Sequence, residues 1–288
     1  MRAKLLDGKA LAERKAGSLK KEIESLRSLY NCSPKLVAVQ IGRDRVSSVY
    51  IKSQERAAAS VGLAYETIFI DKPLAEDKVI STIEGLNSGE KVTGIIIQRP
   101  LPSKLDIGRV YSSISAIKDA EGMHPENMGK LFFKGYAIAP PTALAVMELI
   151  GLSRIKLYGK EVVIIGHSEI VGKPLSIMLL NEFATVSVCH IATSESDNLI
   201  AHIKRAEVLI VAVGKANLVK GRWIKKGSVV IDVGVNKLGD RIVGDVEFDK
   251  ARLRASYITP VPGGVGPLTT VMLMRNCVNL FKLQRGLV

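Results

Sequence analysis

The chain has 288 residues, 47% hydrophobic and 24% charged, a length that suits one large domain or two modest ones, and no apolar run is long enough to cross a bilayer. Its 41 Lys and Arg against 28 Asp and Glu leave a formal net charge of +13. With basic residues scattered and only one Trp and six Phe, anionic small ligands or a solvated basic surface stand ahead of nucleic acid and membrane.

The N-terminal stretch MRAKLLDGKALAERKAGSLKKEI is basic but carries Asp7, Glu13 and Glu22 and runs into amphipathic helix, so it reads as mature structure rather than a transit peptide. Residues 9–28 are expected as a helix, Leu36–Gly42 as a short buried strand, and SSVYIKSQERAAASVG as a helix capped by Ser47 or Ser48 and stopped by Gly62. YETIFI is the next strand, LAEDKVISTIEGLNS a helix, and VTGIIIQRPLP a strand closed by two prolines. A loop-rich region, Ser103–Pro141, precedes the helix PTALAVMELIGL. From there Glu161–Ile165, TVSVCH, VLIVAVG and SVVIDVGV alternate as strands with helices, NKLGDRIVGDV reads as a hairpin on which the sheet ends, and PLTTVMLMRNCVNLFKL is a last helix with Pro267 in its first turn. Strand–helix alternation implies parallel sheets. The expected architecture is two α/β domains flanking a cleft, with the boundary near Gly151–Gly159 and the second domain Rossmann-like. Cys32, Cys189 and Cys277 have no paired spacing and read as reduced thiols of a cytoplasmic protein. Four histidines without partners at ligand spacing point to no metal site.

The strongest chemical signal is VVIIGHSEIVGKPLSIMLL, Val162–Leu180: an apolar strand, a turn with Gly166, Ser168 and Gly172, and a helix. Strand, glycine turn and helix together bring backbone N–H groups and a helix N-terminus to a phosphate. The acid that grips the ribose of NAD belongs at the end of the second strand, here Cys189–Ala192, and none is present, which favours NADP. Tyr50 and Gln54, four apart, share a helix face, where packing is the plainer role for the tyrosine. Gln98 ends a strand, where ligands of open α/β sheets bind. His124 reads as a structural loop histidine. PVPGGVGP is either a tight turn or a backbone that something must approach closely.

In order along nearly the whole chain, LDGKALA, SSVYIKS, GIIIQRPLP, KDAEGMHPENMG, GHSEIVGKPLS, ATVSVCH, IVAVGK, VIDVGVN, IVGDV and ITPVPGGVGPLT resemble the FolD family, methylenetetrahydrofolate dehydrogenase/methenyltetrahydrofolate cyclohydrolase. With LDGKALA starting at Leu6, the resemblance leaves no targeting segment to remove. It implies a folate-binding catalytic domain over residues 1–150, completed by the C-terminal helix 267–288, and an NAD(P)-binding domain over 151–266. It implies oxidation of 5,10-methylene-tetrahydrofolate to the methenyl compound in one-carbon metabolism, then hydration to 10-formyl-tetrahydrofolate. A homodimer and folates with polyglutamate tails are implied as well. On the folate side the resemblance points to Tyr50, Gln54, Gln98, Pro100, Glu121, Gly264 and Pro267, with Tyr50, Gln54, Gln98 and Glu121 as the catalytic set. On the cofactor side it points to Gly166, His167, Ser168, Val171, Gly172, Lys173, Pro174, His190, Ile191, Val213, Gly214, Val233, Val235 and Thr269.

Two positions depart from the family on the folate side. Its catalytic Lys is replaced by Gln54, although the Gln that supports it is retained as Gln98, and the Asp that holds the pterin ring is replaced by Glu121. A glutamine amide does not titrate near neutral pH, so the proton transfers of the cyclohydrolase step lose their group. Lys52 lies two residues, about 200°, round the helix and faces away. Hydride transfer depends on positioning two bound partners and should survive. In the cofactor turn His167 stands where many relatives have Arg, and Ile191 where they have Ser, so NADP is expected with NAD as the alternative. A fully bifunctional enzyme and a non-catalytic folate- or partner-binding relative are the competing readings; another two-domain dehydrogenase fits neither PVPGGVGP nor IIIQRPLP.

Overall fold

The structure, a computed structural model, describes residues 2–42, 45–71 and 75–287, with the side chains of residues 45–49 also outside the description. The first part of the chain forms β1 (Lys4–Leu5), α1 (Gly8–Tyr30), β2 (Lys35–Ile41), α2 (Arg45–Val61), β3 (Ala64–Ile70), α3 (Glu76–Ser88) and β4 (Gly94–Ile97). Next come α4 (Ile107–Ser113), α5 (Pro125–Lys130) and α6 (Pro141–Leu152). The later part forms β5 (Glu161–Ile165), α7 (Gly172–Leu180), β6 (Thr185–Cys189), α8 (Ile191–Glu195), α9 (Leu199–Arg205), β7 (Val208–Val211) and β8 (Val229–Asp232). It ends with β9 (Asn236–Leu238), β10 (Arg241–Val243), α10 (Phe248–Ala251), β11 (Tyr257–Ile258) and α11 (Val265–Leu283).

These elements make two compact α/β units: residues 13–141 with 270–288, and residues 1–12 with 142–269. The first holds a parallel sheet in the order β3-β2-β4. β4 is a continuous apolar run and β2 is apolar from Leu36 to Ile41 except for the buried Gln40, both buried over almost their whole length as central parallel strands are. Their core takes Leu19 and Ile23 from α1, Leu36 and Ala38 from β2, and Met274, Val278 and Phe281 from α11. Glu22 on α1 accepts from Arg275 and Lys282 on α11. Burial works against ionisation there, but the bonds from Lys282 and Arg275 prevail and hold the carboxyl below its usual range.

The second unit is built on a parallel sheet in the order β1-β11-β8-β7-β5-β6. Strand order reverses at β5, with β6 on one side and β7 on the other, which makes the carboxyl ends of β5 and β7 the switch point of a doubly wound sheet. Several local expectations are corrected. The helix α2 begins at Arg45, so Ser47 and Ser48 lie within it rather than at its N-cap, and their side chains fall outside the described residues. The hairpin β9–β10 forms a separate two-stranded sheet, and the large sheet ends instead on β11 and β1. Residues 1–12, read with the first domain, belong to the second unit because Lys4 and Leu5 pair with Tyr257 and Ile258. Asp7 caps α1, its Oδ1 accepting from the Ala10 N–H at 2.9 Å.

Asn276 on α11 is fully buried, and its Nδ2 donates to the carbonyls of Ala120 and Ala139, each at 2.8 Å. Replacing it by Leu keeps the bulk and strands both carbonyls. Asn276→Leu is expected to lower stability by roughly 2–4 kcal/mol, read as a fall in the urea midpoint at unchanged slope; an unchanged midpoint would contradict the assignment.

Candidate active site

In the first unit, α2 carries Tyr50 and Gln54 one turn apart; Tyr50 is 55% exposed, Gln54 is partly buried, and Lys52 is exposed. Gln98 follows the last residue of β4 and is buried. Its Nε2 donates to Gln54 Oε1 at 2.7 Å. The Tyr65 hydroxyl, from β3, donates to the same oxygen at 2.8 Å. Burial pushes the Tyr65 hydroxyl up, so it remains protonated and a donor. The Gln54 amide oxygen is thus held from two sides by neutral donors. Pro100 comes next, after a cis Arg99–Pro100 peptide.

Glu121 sits in the loop before α5, and the loop is pinned on every side. The Ala120 N–H donates to Ile95 O at 3.1 Å, the Ala120 carbonyl is taken by Asn276, and Asp119 Oδ2 accepts from the His124 N–H at 2.8 Å and from Asn127 Nδ2 at 2.9 Å. Gly122, at φ +67, lies where a Cβ would come within 2.7 Å of the Ala139 carbonyl carbon. His124 caps α5 through Nδ1, which accepts from the Glu126 N–H at 3.1 Å, a structural role. The Glu121 Oε2 accepts from the Ile97 N–H at 3.1 Å and from the Tyr111 hydroxyl at 3.4 Å, while Arg99 Nε donates to that hydroxyl at 3.2 Å. Burial dominates and pushes the Glu121 carboxyl up to about 7; the Ile97 N–H opposes it, Asp119 adds to it, and Arg99 and Tyr111 oppose it. Tyr50, Gln54, Gln98, Pro100 and Glu121 all belong to this unit, with the two glutamines in direct contact. Gly264 and Pro267 belong to the other.

In the second unit Gly166 leaves β5 at φ +117, and a Cβ there would lie 2.3 Å from Ala212 O. Gly172 opens α7, where a Cβ would lie 2.0 Å from Gly166 O, so strand and helix meet backbone to backbone. Between them His167 and Ser168 form the turn, and Lys173 pairs with Glu169 at 3.0 Å; Val171 and Pro174 are buried at the helix start. His190 follows β6, with its ring 5.2 Å from that of His167, and Ile191 beside it is 71% exposed. Residues 189–192 are Cys, His, Ile and Ala, without an acid. Val213 and Gly214 follow β7, Val233 and Val235 follow β8, and Thr269 lies in the first turns of α11, bonded to Val265 O at 3.2 Å. Apart from Thr269, the expected cofactor residues line the carboxyl ends of four adjacent parallel strands, or the turns leaving them. The glycines there clear the way for backbone, and the exposed His167 and half-buried Ser168 before the N-terminus of α7 fit a phosphate group.

PVPGGVGP has internal reasons for two of its glycines: Gly263 sits at φ +104, and a Cβ on Gly264 would fall 2.6 Å from Pro260 O. The start of α1 also approaches the loop closely, since a Cβ on Gly8 would fall 1.8 Å from Gly264 O and Lys9 N donates to Gly263 O at 2.9 Å.

Comparison with known proteins resolves the family. Residues 6–121 match the model described as Tetrahydrofolate dehydrogenase/cyclohydrolase, catalytic domain, and residues 140–285 match its NAD(P)-binding domain. The chain belongs to the tetrahydrofolate dehydrogenase/cyclohydrolase family. A curated relative, the bifunctional protein FolD of Bacillus licheniformis, is 43% identical over 98% of this chain and 98% of its own length. The crystal structure of the bifunctional FolD enzyme from Campylobacter jejuni superposes with a TM-score of 0.94 at 39% identity, covering 98% of this chain and 99% of that one. The Trypanosoma brucei FolD, solved with NADP cofactor and an inhibitor, gives 0.95 at 37% identity over 99% of both chains. The resemblance carried by the sequence motifs and the expected two α/β units with a Rossmann-like second sheet therefore hold.

Tyr65, Tyr111, Asp232 and Asp245 carry no local signal in the sequence, although each is bonded to an expected site residue or to the backbone around one, and Arg99 reaches Glu121 through Tyr111. VIDVGVN and IVGDV were visible as motifs, but their acids meet across 13 residues, a pairing no local pattern encodes. Among the described residues no three His, Cys, Asp or Glu side chains are grouped to hold a metal ion, and no helix is long and apolar enough to cross a membrane.

The Glu121 carboxyl has a signature in stability. Its folded value of about 7 lies above the ordinary 4.5, so the stability it contributes is complete below pH 4.5 and is lost as pH rises through about 7. Glu121→Gln, neutral throughout, is expected to remove a fall of roughly 2–3 kcal/mol across that window. Thermal unfolding of both proteins at a series of pH values checks this; parallel curves would contradict it.

Proposed function

We propose that this family member oxidises 5,10-methylene-tetrahydrofolate to 5,10-methenyl-tetrahydrofolate with NADP, and that hydration of the methenyl bridge to 10-formyl-tetrahydrofolate is weak or absent. The observation that carries the second half is the Gln98–Gln54–Tyr65 cluster. At the position of the family's lysine stands an amide whose oxygen accepts from Gln98 and Tyr65 and whose nitrogen does not change protonation state near neutral pH. Folate would lie against Tyr50, Gln98 and Pro100. Glu121 would hold the pterin ring, its carboxyl fixed by the Ile97 N–H and Tyr111. The nicotinamide, when bound, supplies the hydride acceptor. For that half the chain's task is to orient and to keep water away, and the absence of a titrating lysine does not touch it.

NADP is favoured over NAD because residues 189–192 offer no carboxylate to repel a ribose phosphate, while His167 and His190 stand exposed with their rings 5.2 Å apart. Glu169, the acid within the turn, is paired with Lys173. A homodimer, polyglutamate-tailed folates and a cytoplasmic setting belong to the same reading.

Incubating the purified protein with methylene-tetrahydrofolate and each nicotinamide cofactor tests it. Reduction of NADP is expected, with kcat/KM for NAD lower by roughly tenfold or more. A higher kcat/KM with NAD would overturn the cofactor assignment. Folate binding with no reduction of either cofactor would favour a non-catalytic relative.

A further inference from the structure

Asp245 follows the hairpin β9–β10 and is fully buried, yet its carboxylate is met almost wholly by one loop. Oδ2 accepts from the N–H groups of Val213 at 2.8 Å and Gly214 at 3.0 Å; Oδ1 accepts from the Lys215 N–H and from Asn236 Nδ2, each at 2.8 Å. Three successive backbone N–H groups converging on an anion form a nest, and here the protein fills it with its own carboxylate. Gly214, at φ +68, supplies the left-handed residue that this curvature requires.

The carboxylate is itself placed from below. Asp232, the last residue of β8, accepts from the Asp245 N–H at 3.0 Å, the Val246 N–H at 2.9 Å and the Gly234 N–H at 3.1 Å, and its own N–H donates to Thr259 Oγ1 at 2.7 Å. The packing admits no side chain at two points. A Cβ on Gly234 would lie 2.1 Å from the Asp245 carboxyl carbon, and one on Gly244 would lie 1.9 Å from Asp232 Oδ2. The loop that follows β7 is therefore tied to the central sheet through two buried acids and contains Val213 and Gly214, both on the expected cofactor surface.

We infer that Asp245 is a positioning residue for the nicotinamide cofactor: it orders the Val213–Lys215 backbone in its binding form before the cofactor arrives. The inference rests on the cofactor reading above for what the loop binds. The order itself rests on the hydrogen bonds alone. Because the nest is occupied, those three N–H groups are not left for the cofactor's phosphates. The loop offers its other face, and losing Asp245 would free the N–H groups while disordering that face.

Full-length wild type, Asp245→Asn and Asn236→Ala are compared by calorimetric titration with NADP and with tetrahydrofolate, and by hydrogen exchange of the peptide covering residues 213–215. Asp245→Asn places an amide N–H against backbone N–H groups. It is expected to speed exchange in that peptide and to raise the NADP Kd by roughly tenfold or more, with the tetrahydrofolate Kd within twofold. Asn236→Ala removes one bond to the carboxylate and should give the same pattern at roughly threefold. It carries the test if Asp245→Asn does not fold. Faster exchange with an unchanged NADP Kd overturns the inference, as does an equal loss for both ligands, which marks a merely structural acid. Wild type that binds no NADP would defeat the cofactor reading itself, a result separate from either variant's.

Discussion

A carboxylate taken out of water must be given donors, and in the second unit that requirement shapes everything at the ends of the strands. Asp232 and Asp245 are both buried, close in space and of like charge. Burial pushes Asp232 up to about 7, the backbone N–H groups of Asp245, Val246 and Gly234 oppose that, and the charge of Asp245 adds to it. The donors both acids need come mostly from backbone, from Val213–Lys215, Gly234 and Asp245–Val246, with the Asn236 side chain beside them. Loops that a polar surface would leave loose are thereby fastened to the sheet. The same logic explains glycine at 234 and 244, where side chains would sit inside the carboxylates. It is a different use of glycine from that at 166 and 172, where backbone meets backbone at the strand–helix turn.

In the proposed reading, an amide takes the place of an amine on the folate side without leaving a buried group stranded. A lysine at position 54 would be a donor, and a glutamine facing it would offer its carbonyl oxygen. With Gln54 in place, Gln98 offers its Nε2 instead, and the Tyr65 hydroxyl donates alongside. The cluster is satisfied as a neutral network, so stability places little pressure on a charge at that point. In the proposed reading what is lost is chemical, because no member of the Gln54–Gln98–Tyr65 set changes protonation near pH 7. On the folate side burial pushes the Glu121 carboxyl, held by Ile97 and Tyr111, up to about 7.

The sheets and their helices were legible because β4, β5, β7 and β8 are apolar runs with glycine or polar residues at their ends, and β2 is one broken only by Gln40; buried parallel strands carry that pattern. The Gly166–Gly172 turn was legible for the same local reason. β1 and β11 were missed because two-residue strands carry no periodicity and are made by pairing across the chain, Lys4 with Tyr257 and Leu5 with Ile258. The placement of β9–β10 outside the large sheet also depends on partners rather than on composition. At the candidate site, Gln54 is marked by its helical spacing from Tyr50 and Gln98 by its place at a strand end, and the resemblance adds the roles expected of them. Tyr65 and Tyr111 are not marked in this way, since a hydroxyl reaching a side chain 10 or 11 residues away leaves no mark in spacing.

The central claim is that an amide at position 54 separates two steps that a titrating lysine joins. Following methenyl absorbance after NADP reduction, for wild type and Gln54→Lys in parallel, tests it most directly. The account predicts that wild type accumulates methenyl-tetrahydrofolate, which decays at its spontaneous rate, and that Gln54→Lys consumes it faster by roughly tenfold or more. Wild-type protein that already removes the methenyl compound faster than buffer does, or a lysine variant that leaves the decay unchanged, would contradict it.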